Sequence, residues 1–530
     1  SIFWLLVSIS FTTLSTFCKE QGITVIGLCS AFDVIMVCRI DMLSILKIRS
    51  SSSSSLINNY NNNYLLLRQL CLLLSGVLLL ILRWRIMGYA TPTFQIHDNP
   101  HSFVDGAIFR AINYIYLYAI NIWILINPGW LCFDWSMGCI PVITSFSDYR
   151  VYIATTFLAS IILLLLYSVK DTSKHQSLLI LSLVLLIVPF LPGSNIFFRV
   201  GFVIAERVLY LSSAGMCMLI TYGIISLAKG TEKKRVIQIG IILLITLYTS
   251  RSIQRSKEWR SEESLFQSGE KVCPLNAKVH YNIGKLNADK GNNTQAIYRY
   301  RLAIKLSPDY DQAMNNLANI LKDKGELVEA EDLLTKAVTI RPEFAAAWMN
   351  LGIVQAQLKK IGLAEKSYLQ ALRHRRKYPD CYYNLGNLYL ELKQHQAAIQ
   401  AWRNATILKP THVNAWTNTL ILLDNIGELK LAENVGKEAL KVLPREHQVL
   451  FNLANIYGKL EKYTESEQFF LLALKEDQNN AKYHLNIGVL YHRWGKYDKA
   501  EEAYQTALQL NPSNKVTQDN IAMLQRQRNK

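Results

Sequence analysis

Two pairs of charged residues stand at the edges of apolar stretches and are the first candidates for chemistry. Lys19 and Glu20 lie between two apolar runs, and Glu206 and Arg207 open another. An ionisable group at membrane depth is costly and therefore indicates a functional site, in which a cation binds an anionic group and a carboxylate accepts a proton. Two other interpretations stay open: the pairs anchor the ends of membrane helices, or they neutralise each other within a bundle.

A column of asparagines is the second candidate, this time for binding. Its members are Asn282, Asn316, Asn350, Asn384, Asn418, Asn452 and Asn486. A side-chain amide both donates and accepts, so seven on one face could hold an extended peptide backbone without reading its sequence. Asn319, Asn387 and Asn455 extend the same face. The alternative is that these amides bond only to neighbouring helices.

A repeat of 34 residues positions that column seven times, between residues 277 and 514. Alanine recurs from Ala303 to Ala507, a second small-residue column runs from Ala296 to Ala500, and prolines such as Pro308 close most units. An aromatic residue stands between the small columns in five units: Tyr300, Tyr368, Trp402, Phe470 and Tyr504. This pattern resembles the tetratricopeptide repeat. It predicts paired antiparallel helices that stack into a superhelix, because one pair cannot bury its apolar face alone.

The ends of the array and its fifth unit depart from the repeat pattern. Residues 251–276 are predicted to form a linker and a half-repeat helix, and residues 515–530 a polar capping helix. The fifth unit is the weakest, with Thr419-Leu420 where others have Leu-Gly and Gly436 in the aromatic column.

Composition divides the chain into an apolar part, residues 1–250, and a charged part, residues 251–530. The net charge of +17 is spread over both parts, so no single basic patch explains it and nucleic-acid binding is not expected. The nine cysteines show no metal-ligand spacing, and no metal site or cofactor is expected. Cys132 and Cys139 share one predicted loop and could pair in an oxidising compartment, or stay free thiols.

The apolar part is predicted to cross a membrane several times. Apolar runs occupy residues 2–17, 22–38, 64–82, 109–127, 151–169, 178–191, 207–228 and 236–249, and a membrane helix needs about 20 apolar residues. Basic residues mark the loops 39–49, 170–174 and 229–235 as cytosolic.

The run at 109–127 decides whether those three basic loops all lie on the cytosolic side of the membrane. It contains Asn113, Asn121 and several aromatic residues, which suits a position in the membrane interface. If it does not cross, residues 84–148 form one large lumenal loop and the repeats follow on the lumenal side. Arg251, Arg255, Lys257 and Arg260 just after the last run argue for the opposite side.

Four strings carry a resemblance that covers nearly the whole chain. They are FCKEQGITVIG at 17–27, LRWRIMGYATPTFQIHDNP at 82–100, NPGWLCFDWSMGCIPVI at 127–143 and GSNIFFRVGFVIAERVLYLSSAG at 193–215. The junction at 258–284 continues the pattern into the repeats. In this order the strings resemble the transmembrane and tetratricopeptide repeat-containing (TMTC) family of the endoplasmic reticulum.

This resemblance implies an enzyme of the GT-C type: a multi-span membrane protein that moves mannose from dolichyl-phosphate mannose to Ser or Thr of secretory-pathway proteins such as cadherins. The family's catalytic acid lies in the first lumenal loop. Because Ser1 is not a start methionine and residues 2–17 are already apolar, we expect that acid upstream of Ser1. The alternative is a non-catalytic, membrane-anchored tetratricopeptide scaffold in the same organelle.

The resemblance also adds candidate donor-binding residues to Lys19, Glu20, Glu206 and Arg207. Asp98 and Asn99 could contact donor or acceptor, although the sequence before Pro100 is typical of a turn. Asp134 could reach a sugar, or merely cap a short helix.

The sequence thus predicts an all-α protein: a multi-span, GT-C-like membrane domain followed by a tetratricopeptide superhelix. If the repeats are lumenal, Asn292 in Asn-Asn-Thr becomes a glycan acceptor, because it falls in a turn between helices. Asn404 in Asn-Ala-Thr lies on a predicted packed helix and is the poorer acceptor.

Overall fold

A computed structural model describes residues 2–38, 59–89, 94–170, 176–228 and 234–528. Within these ranges the secondary structure is helical and contains no strand, which confirms the all-α fold class. The three basic loops fall almost wholly outside them. The chain divides into two compact units, Ser1–Pro308 and Asp309–Lys530, so the first repeat folds with the apolar helices.

The first unit contains eleven helices within the described ranges. They are α1 Ile2–Cys18, α2 Thr24–Phe32, α3 Asn59–Ile86, α4 Ala107–Ile126, α5 Arg150–Lys170, α6 Gln176–Ile187, α7 Tyr210–Ala228, α8 Lys234–Glu258, α9 Glu262–Val272, α10 Ala277–Asp289 and α11 Asn293–Leu306. Short 3-10 turns at Glu20–Ile23, Pro100–Phe103, Val188–Gly193 and Glu206–Leu209 and a π-helical turn at Asp33–Val37 lie between or extend them.

Seven helical segments in the described ranges are long and apolar enough to span a membrane. They are Glu20–Val37, Tyr64–Ile86, Ala107–Ile126, Arg150–Val169, Gln176–Gly193, Glu206–Ser226 and Arg235–Glu258. Their apolar side chains are largely uncovered by protein: Leu163, Ile239 and Ile242 are each more than 60% exposed. Exposing so much apolar surface to water is unfavourable, whereas a lipid bilayer accommodates it. This is therefore a membrane protein, as predicted.

Helix α4 differs from the other six because an irregular segment runs back along it. Asn113 near its start donates to the carbonyl of Ile143 (2.9 Å) and accepts from that residue's N–H (2.9 Å). Further along, Leu117, Ile120 and Ile124 pack in one core with Cys132 and Trp135. The chain therefore leaves α4 at Ile126 and returns beside it to α5.

The second unit consists of six helix pairs and a final helix. They are α12 Asp311–Asp323, α13 Leu327–Ile340, α14 Ala345–Gln357, α15 Ile361–His374, α16 Pro379–Glu391, α17 His395–Leu408, α18 Val413–Asn425, α19 Leu429–Val442, α20 His447–Lys459, α21 Tyr463–Glu476, α22 Ala481–Arg493, α23 Tyr497–Leu510 and α24 Lys515–Arg528. With α10 and α11 this makes the seven predicted repeats. Helix α24 packs on α23 and buries Leu524, as a capping helix should.

Size complementarity within each pair explains the repeat columns. The Trp402 ring is fully buried and lies against Gly386, where an added Cβ would stand 2.5 Å from the ring. Gly352 and Gly488 face Tyr368 and Tyr504 in the same way.

The fifth unit departs from this pairing. Leu420, fully buried, stands where four other units have glycine and two have alanine. Gly436 stands in the aromatic column, and a Cβ there would be 2.7 Å from Leu453. The space beside Gly436 is therefore filled by Leu453, which belongs to the first helix of the next repeat.

Candidate functional site

A clamp joins the loop after α4 to the first repeat. We call the contact between residues 132–139 and helices α9 and α10 the loop clamp. The ring of Phe133 lies 5.3 Å from that of Phe266 on α9. Gly269 allows this approach, since an added Cβ would stand 2.6 Å from the Phe133 ring. The N–H of Ala277 at the start of α10 donates to the carbonyl of Met137 (3.1 Å).

A disulfide between Cys139 and Cys273 closes the loop clamp, with the two Cα atoms 4.9 Å apart. The suggested Cys132–Cys139 pair is therefore wrong, because Cys139 is already bonded across 134 positions of sequence. Cys132 is a buried free thiol whose Sγ lies 3.0 Å from the carbonyl of Asp134. Burial raises the pKa of Cys132 to about 12, so this thiol stays protonated and unreactive at neutral pH.

Asp134 supplies the polar contacts of the loop clamp. Its carboxylate accepts from the N–H of Ser136 (2.8 Å) and from Lys278 Nζ on α10 (2.7 Å), and its carbonyl accepts from Asn276 Nδ2 (2.9 Å). Burial raises the pKa of Asp134, but the bonds from Lys278 and Ser136 outweigh it and hold the pKa below its ordinary value. The Asp134–Lys278 pair therefore stabilises the fold above about pH 4, and this contribution is lost as the pH falls through the lowered pKa.

Glu206 is held by the same loop. Its Oε1 accepts from the N–H of Cys132 (2.7 Å) and from the indole N–H of Trp135 (3.2 Å), and Arg255 Nη2 lies 3.9 Å from its Oε2. Arg255 also pairs with Glu258 at 2.7 Å. Glu206 therefore fixes the loop to the end of α8.

Arg251, in the last two turns of α8, forms hydrogen bonds to the loop that follows α4. Its guanidinium donates to the carbonyls of Pro128 and Gly129, each at 3.1 Å, and to Glu258 at 2.9 Å. Arg251 and Arg255, which counted against the predicted topology, are thus both neutralised by groups of the first unit. Paired arginines give little orientation signal, since the positive-inside rule concerns short loops with an excess of basic residues.

Lys19 and Arg207, far apart in sequence, line one groove of about 480 Å³. The apolar part of its wall includes Val25, Pro189 and Leu211. Neither cation forms an ion pair with any residue in the described ranges, and both are exposed. Two unneutralised cations can bind the phosphate group of a lipid, and the apolar wall beside them can contact the hydrocarbon chain of that lipid.

Glu20 is absent from the lining of this groove. Its carboxylate pairs with Arg83 at the end of α3 (2.6 Å), and the same arginine donates to the carbonyl of Thr16 (3.0 Å). Of the interpretations left open, neutralisation between the charged pairs is not seen among the described residues, because Glu20 pairs with Arg83 and Glu206 lies near Arg255.

Asp98 and Asn99 form a turn, as the sequence before Pro100 indicates. The carboxylate of Asp98 accepts from the N–H of Gln95 (3.1 Å). Asn99 is fully buried, and its Nδ2 donates to Asn195 Oδ1 (3.0 Å) and to the carbonyl of Val200 (2.9 Å). Asn99 thus ties the loop after α3 to the connection between α6 and α7.

The asparagine column is mostly half-buried and bonds partly to other asparagines of the repeats. Asn418 Nδ2 donates to Asn387 Oδ1 (3.1 Å), and Asn486 Nδ2 to Asn455 Oδ1 (3.0 Å). Asn350, the buried member, donates to Asn315 Oδ1 (2.8 Å).

Each such bond uses one donor of one amide and one acceptor of the other. The remaining donor and acceptor capacity of each pair can still meet a peptide backbone. Bonding to neighbouring helices is therefore present, and it does not exhaust the column. The predicted peptide-binding role stays a prediction.

Asn292 caps helix α11 and is exposed. Its Oδ1 accepts from the N–H of Gln295 (3.3 Å), a cap that leaves Nδ2 for a glycan. Thr406 of the other sequon is only 4% exposed, which agrees with the lower expectation for Asn404. Among the described residues no group of three or more His, Cys, Asp or Glu could hold a metal ion.

The comparisons with known proteins agree with this arrangement. The family model described as Protein O-mannosyl-transferase TMTC, DUF1736 matches residues 88–162, which include α4, the loop and half of α5. Tetratricopeptide models match residues 284–325, 315–381, 379–412, 447–480 and 481–514. The predicted resemblance to the TMTC family is confirmed.

Individual TMTC proteins match over part of their length. Human Protein O-mannosyl-transferase TMTC4 is 52% identical over 57% of this chain, and the chain covers 41% of that protein. Mouse Protein O-mannosyl-transferase TMTC1 is 41% identical over 45% of this chain and 26% of its own. Among solved structures, a tetratricopeptide repeat protein from Parabacteroides merdae ATCC 43184 is 17% identical, with a TM-score of 0.36 over 47% of this chain and 98% of that one.

Sequence reasoning missed the partners that complete the TMTC-type loop. Cys273, Lys278 and Arg255 were not among the predicted site residues, although all three fix that loop. The available signal was the position of Cys273: a cysteine in the charged linker, outside any repeat column, needs a partner when another cysteine lies in a nearby loop.

Proposed function

We propose that this chain takes part in protein O-mannosylation in the endoplasmic reticulum membrane. Mannose would move from dolichyl-phosphate mannose to Ser or Thr of a secretory-pathway acceptor such as a cadherin, and the repeats would recruit that acceptor. The names of the TMTC relatives support the reaction type. The observation that carries the proposal is the loop clamp, because it holds the start of the repeats against the loop that the TMTC model matches.

We propose a topology in which α4 does not cross the membrane. Irregular backbone such as that of residues 127–149 is not found exposed to lipid at hydrocarbon depth. A helix with this segment packed along it therefore suits the interface better than the bilayer core. The loop 84–148, the groove of Lys19 and Arg207, and the loop clamp then share one side, which we assign to the lumen. The proposed arrangement is GT-C-like because a multi-span membrane domain carries its large loop and its candidate donor groove on the lumenal side.

Lys19 and Arg207 are the residues we assign to the donor. The phosphate of a dolichol-linked sugar carries negative charge at the membrane surface, where charge-assisted hydrogen bonds to two cations hold it. The apolar wall of the groove suits the first isoprenoid units. In the transfer, a bond forms between mannose C1 and the acceptor oxygen, and dolichyl phosphate leaves with the electrons of the broken C1–O bond.

The proton of the acceptor hydroxyl must go to a base. Glu20, Asp98, Asp134 and Glu206 each already accept hydrogen bonds or ion pairs that fix local structure. We therefore assign none of these four as the base, and give Asp134 and Glu206 a positioning role toward the loop.

Transfer assays test the function. Microsomes enriched in this chain should move labelled mannose from dolichyl-phosphate mannose to a cadherin-type acceptor. We expect Lys19→Gln and Arg207→Gln each to raise the apparent KM for the donor about 10-fold, as befits the loss of one charge-assisted hydrogen bond. Arg85→Gln removes an exposed cation at the end of α3, outside the groove lining, and should change little.

Two outcomes would contradict parts of the proposal. An equal effect of Arg85→Gln would show a general surface-charge effect and remove Lys19 and Arg207 from the donor site. Absence of donor-dependent labelling at saturating donor, with acceptor still bound, would leave the non-catalytic scaffold. In that case Asn350→Ala, Asn384→Ala and Asn452→Ala should weaken acceptor binding without unfolding the repeats.

Glycosylation of Asn292 tests the orientation. If the first repeat lies in the lumen, the chain should carry a glycan that endoglycosidase removes and that Asn292→Gln abolishes, whereas Asn404→Gln should leave it unchanged. Because every molecule contains both sequons, the Asn404→Gln variant serves as the control for Asn292→Gln. A chain without glycan, and with repeats digested by protease added to sealed microsomes, would place the repeats in the cytosol.

A further inference from the structure

A run of five basic residues ends α15 and begins the connection to α16. We call Arg373, His374, Arg375, Arg376 and Lys377 the basic turn, and all five are exposed. We propose that the basic turn binds an acidic stretch of the polypeptide that the repeats capture. This inference rests on the proposed acceptor-recruiting role and names the chemistry of the acceptor.

The charge of the basic turn exceeds what helix capping requires. Cations at a helix C-terminus interact favourably with the helix dipole, and a single one suffices. Helices α19 and α21 have one basic residue in the last turn, and α13 and α17 have none. The third repeat also lacks the closing proline of its neighbours, since Arg376 stands where they have Pro342 and Pro410.

Local contacts fix one member of the basic turn and leave three free. Arg375 places its guanidinium 4.4 Å from the centre of the Tyr378 ring. Arg373, Arg376 and Lys377 form no ion pair with any residue the structure describes. The nearby carboxylate of Asp380 lies 3.6 Å from His412 Nε2 instead. The three free cations therefore keep their charge for an external anion, and a guanidinium fork matches a carboxylate in shape.

The basic turn leads directly into the asparagine column. Helix α16 begins two residues after Lys377 and carries Asn384 and Asn387. These two amides line a groove of about 350 Å³ together with Tyr368 and the ion pair of Lys359 with Glu391 (3.6 Å). Amides that can grip a peptide backbone, beside cations that can pair with side-chain carboxylates, suit one extended acidic polypeptide. A sulfated glycan would use the cations alone, so we favour the polypeptide.

Binding of a defined probe tests the inference. The probe is a fluorescent peptide of about twelve residues that alternates Glu and Ser, measured by anisotropy with the full chain in detergent micelles. We expect the triple variant Arg373→Gln, Arg376→Gln, Lys377→Gln to weaken binding about 5- to 50-fold at low salt, because three exposed charge pairs are lost. Raising the salt to about 0.5 M should erase most of that difference.

The matched control removes the same charge elsewhere. Lys430→Gln, Lys475→Gln and Lys515→Gln are exposed lysines of the second unit and should leave probe affinity unchanged. All six positions are exposed, so both variants should keep wild-type helicity, which circular dichroism checks.

Three results would overturn the inference: equal weakening by the control variant, equal binding of a Gln-Ser peptide, or binding of a sulfated oligosaccharide but not of the acidic peptide. The assay needs no sugar donor, so a failure of mannose transfer leaves its outcome intact. Conversely, transfer to an acceptor without an acidic stretch would uphold the proposed function even if the basic turn binds nothing.

Discussion

Replacing Trp402 with alanine should lower the free energy of unfolding of the second unit by about 3–5 kcal/mol. The Trp402 ring is fully buried, and its indole N–H donates to the carbonyl of Tyr383 and to Asn387 Oδ1, each at 3.2 Å. Truncation leaves a cavity between α16 and α17 and two acceptors without this donor. Because repeats are stabilised mainly by their neighbours, the loss should spread to adjacent pairs. Urea denaturation followed by circular dichroism measures it.

The control for Trp402 lies on the same helix. Ile407 is 66% exposed on α17, so Ile407→Ala should change the free energy of unfolding by less than about 0.5 kcal/mol. A comparable loss for both variants would mean that α17 is stabilised by helix propensity, and that the packing of Trp402 on Gly386 does not explain the repeat columns.

Breaking the disulfide of the loop clamp should be the second large effect. Cys139→Ser and Cys273→Ser should each destabilise the first unit by about 2–5 kcal/mol, because the crosslink closes a long loop in the unfolded chain. Under denaturing, non-reducing conditions each variant should expose one more reactive thiol than wild type. The loop should also become more sensitive to protease, since residues 132–139 would then be held to α9 and α10 by non-covalent contacts alone.

Cys132→Ser serves as the control for the disulfide. Cys132 is a free, buried thiol seven positions from Cys139, so its replacement should leave the crosslink intact and remove one thiol from the count. The pairing would be wrong if Cys132→Ser released a thiol from Cys139. Reduction of the crosslink by cytosolic thiols in sealed microsomes would argue against a lumenal position of the clamp.

The two unusual positions of the fifth repeat show how far sequence patterns go. Thr419-Leu420 and Gly436 look like a loss of the motif, whereas in the structure Leu420 is fully buried and Leu453 of the next repeat packs against Gly436. Comparing the repeats position by position shows the size of the residue at each position separately. Complementarity concerns two residues 16 or 17 positions apart, such as Gly386 and Trp402 or Gly436 and Leu453, and it becomes visible only when their helices are packed.

The sequence by itself determined the helices, the seven repeats and the membrane character. These depend on periodicity and local composition, which are written along the chain at spacings of a few residues or one repeat. Only the tertiary structure decided the partners of Cys139, Asp134 and Glu206, and the meeting of Lys19 with Arg207 in one groove. These contacts join positions more than 45 residues apart, and two of them join the loop to the first repeat or to the helix directly before it. Sequence spacing cannot encode which distant groups meet, because that depends on how the helices between them pack.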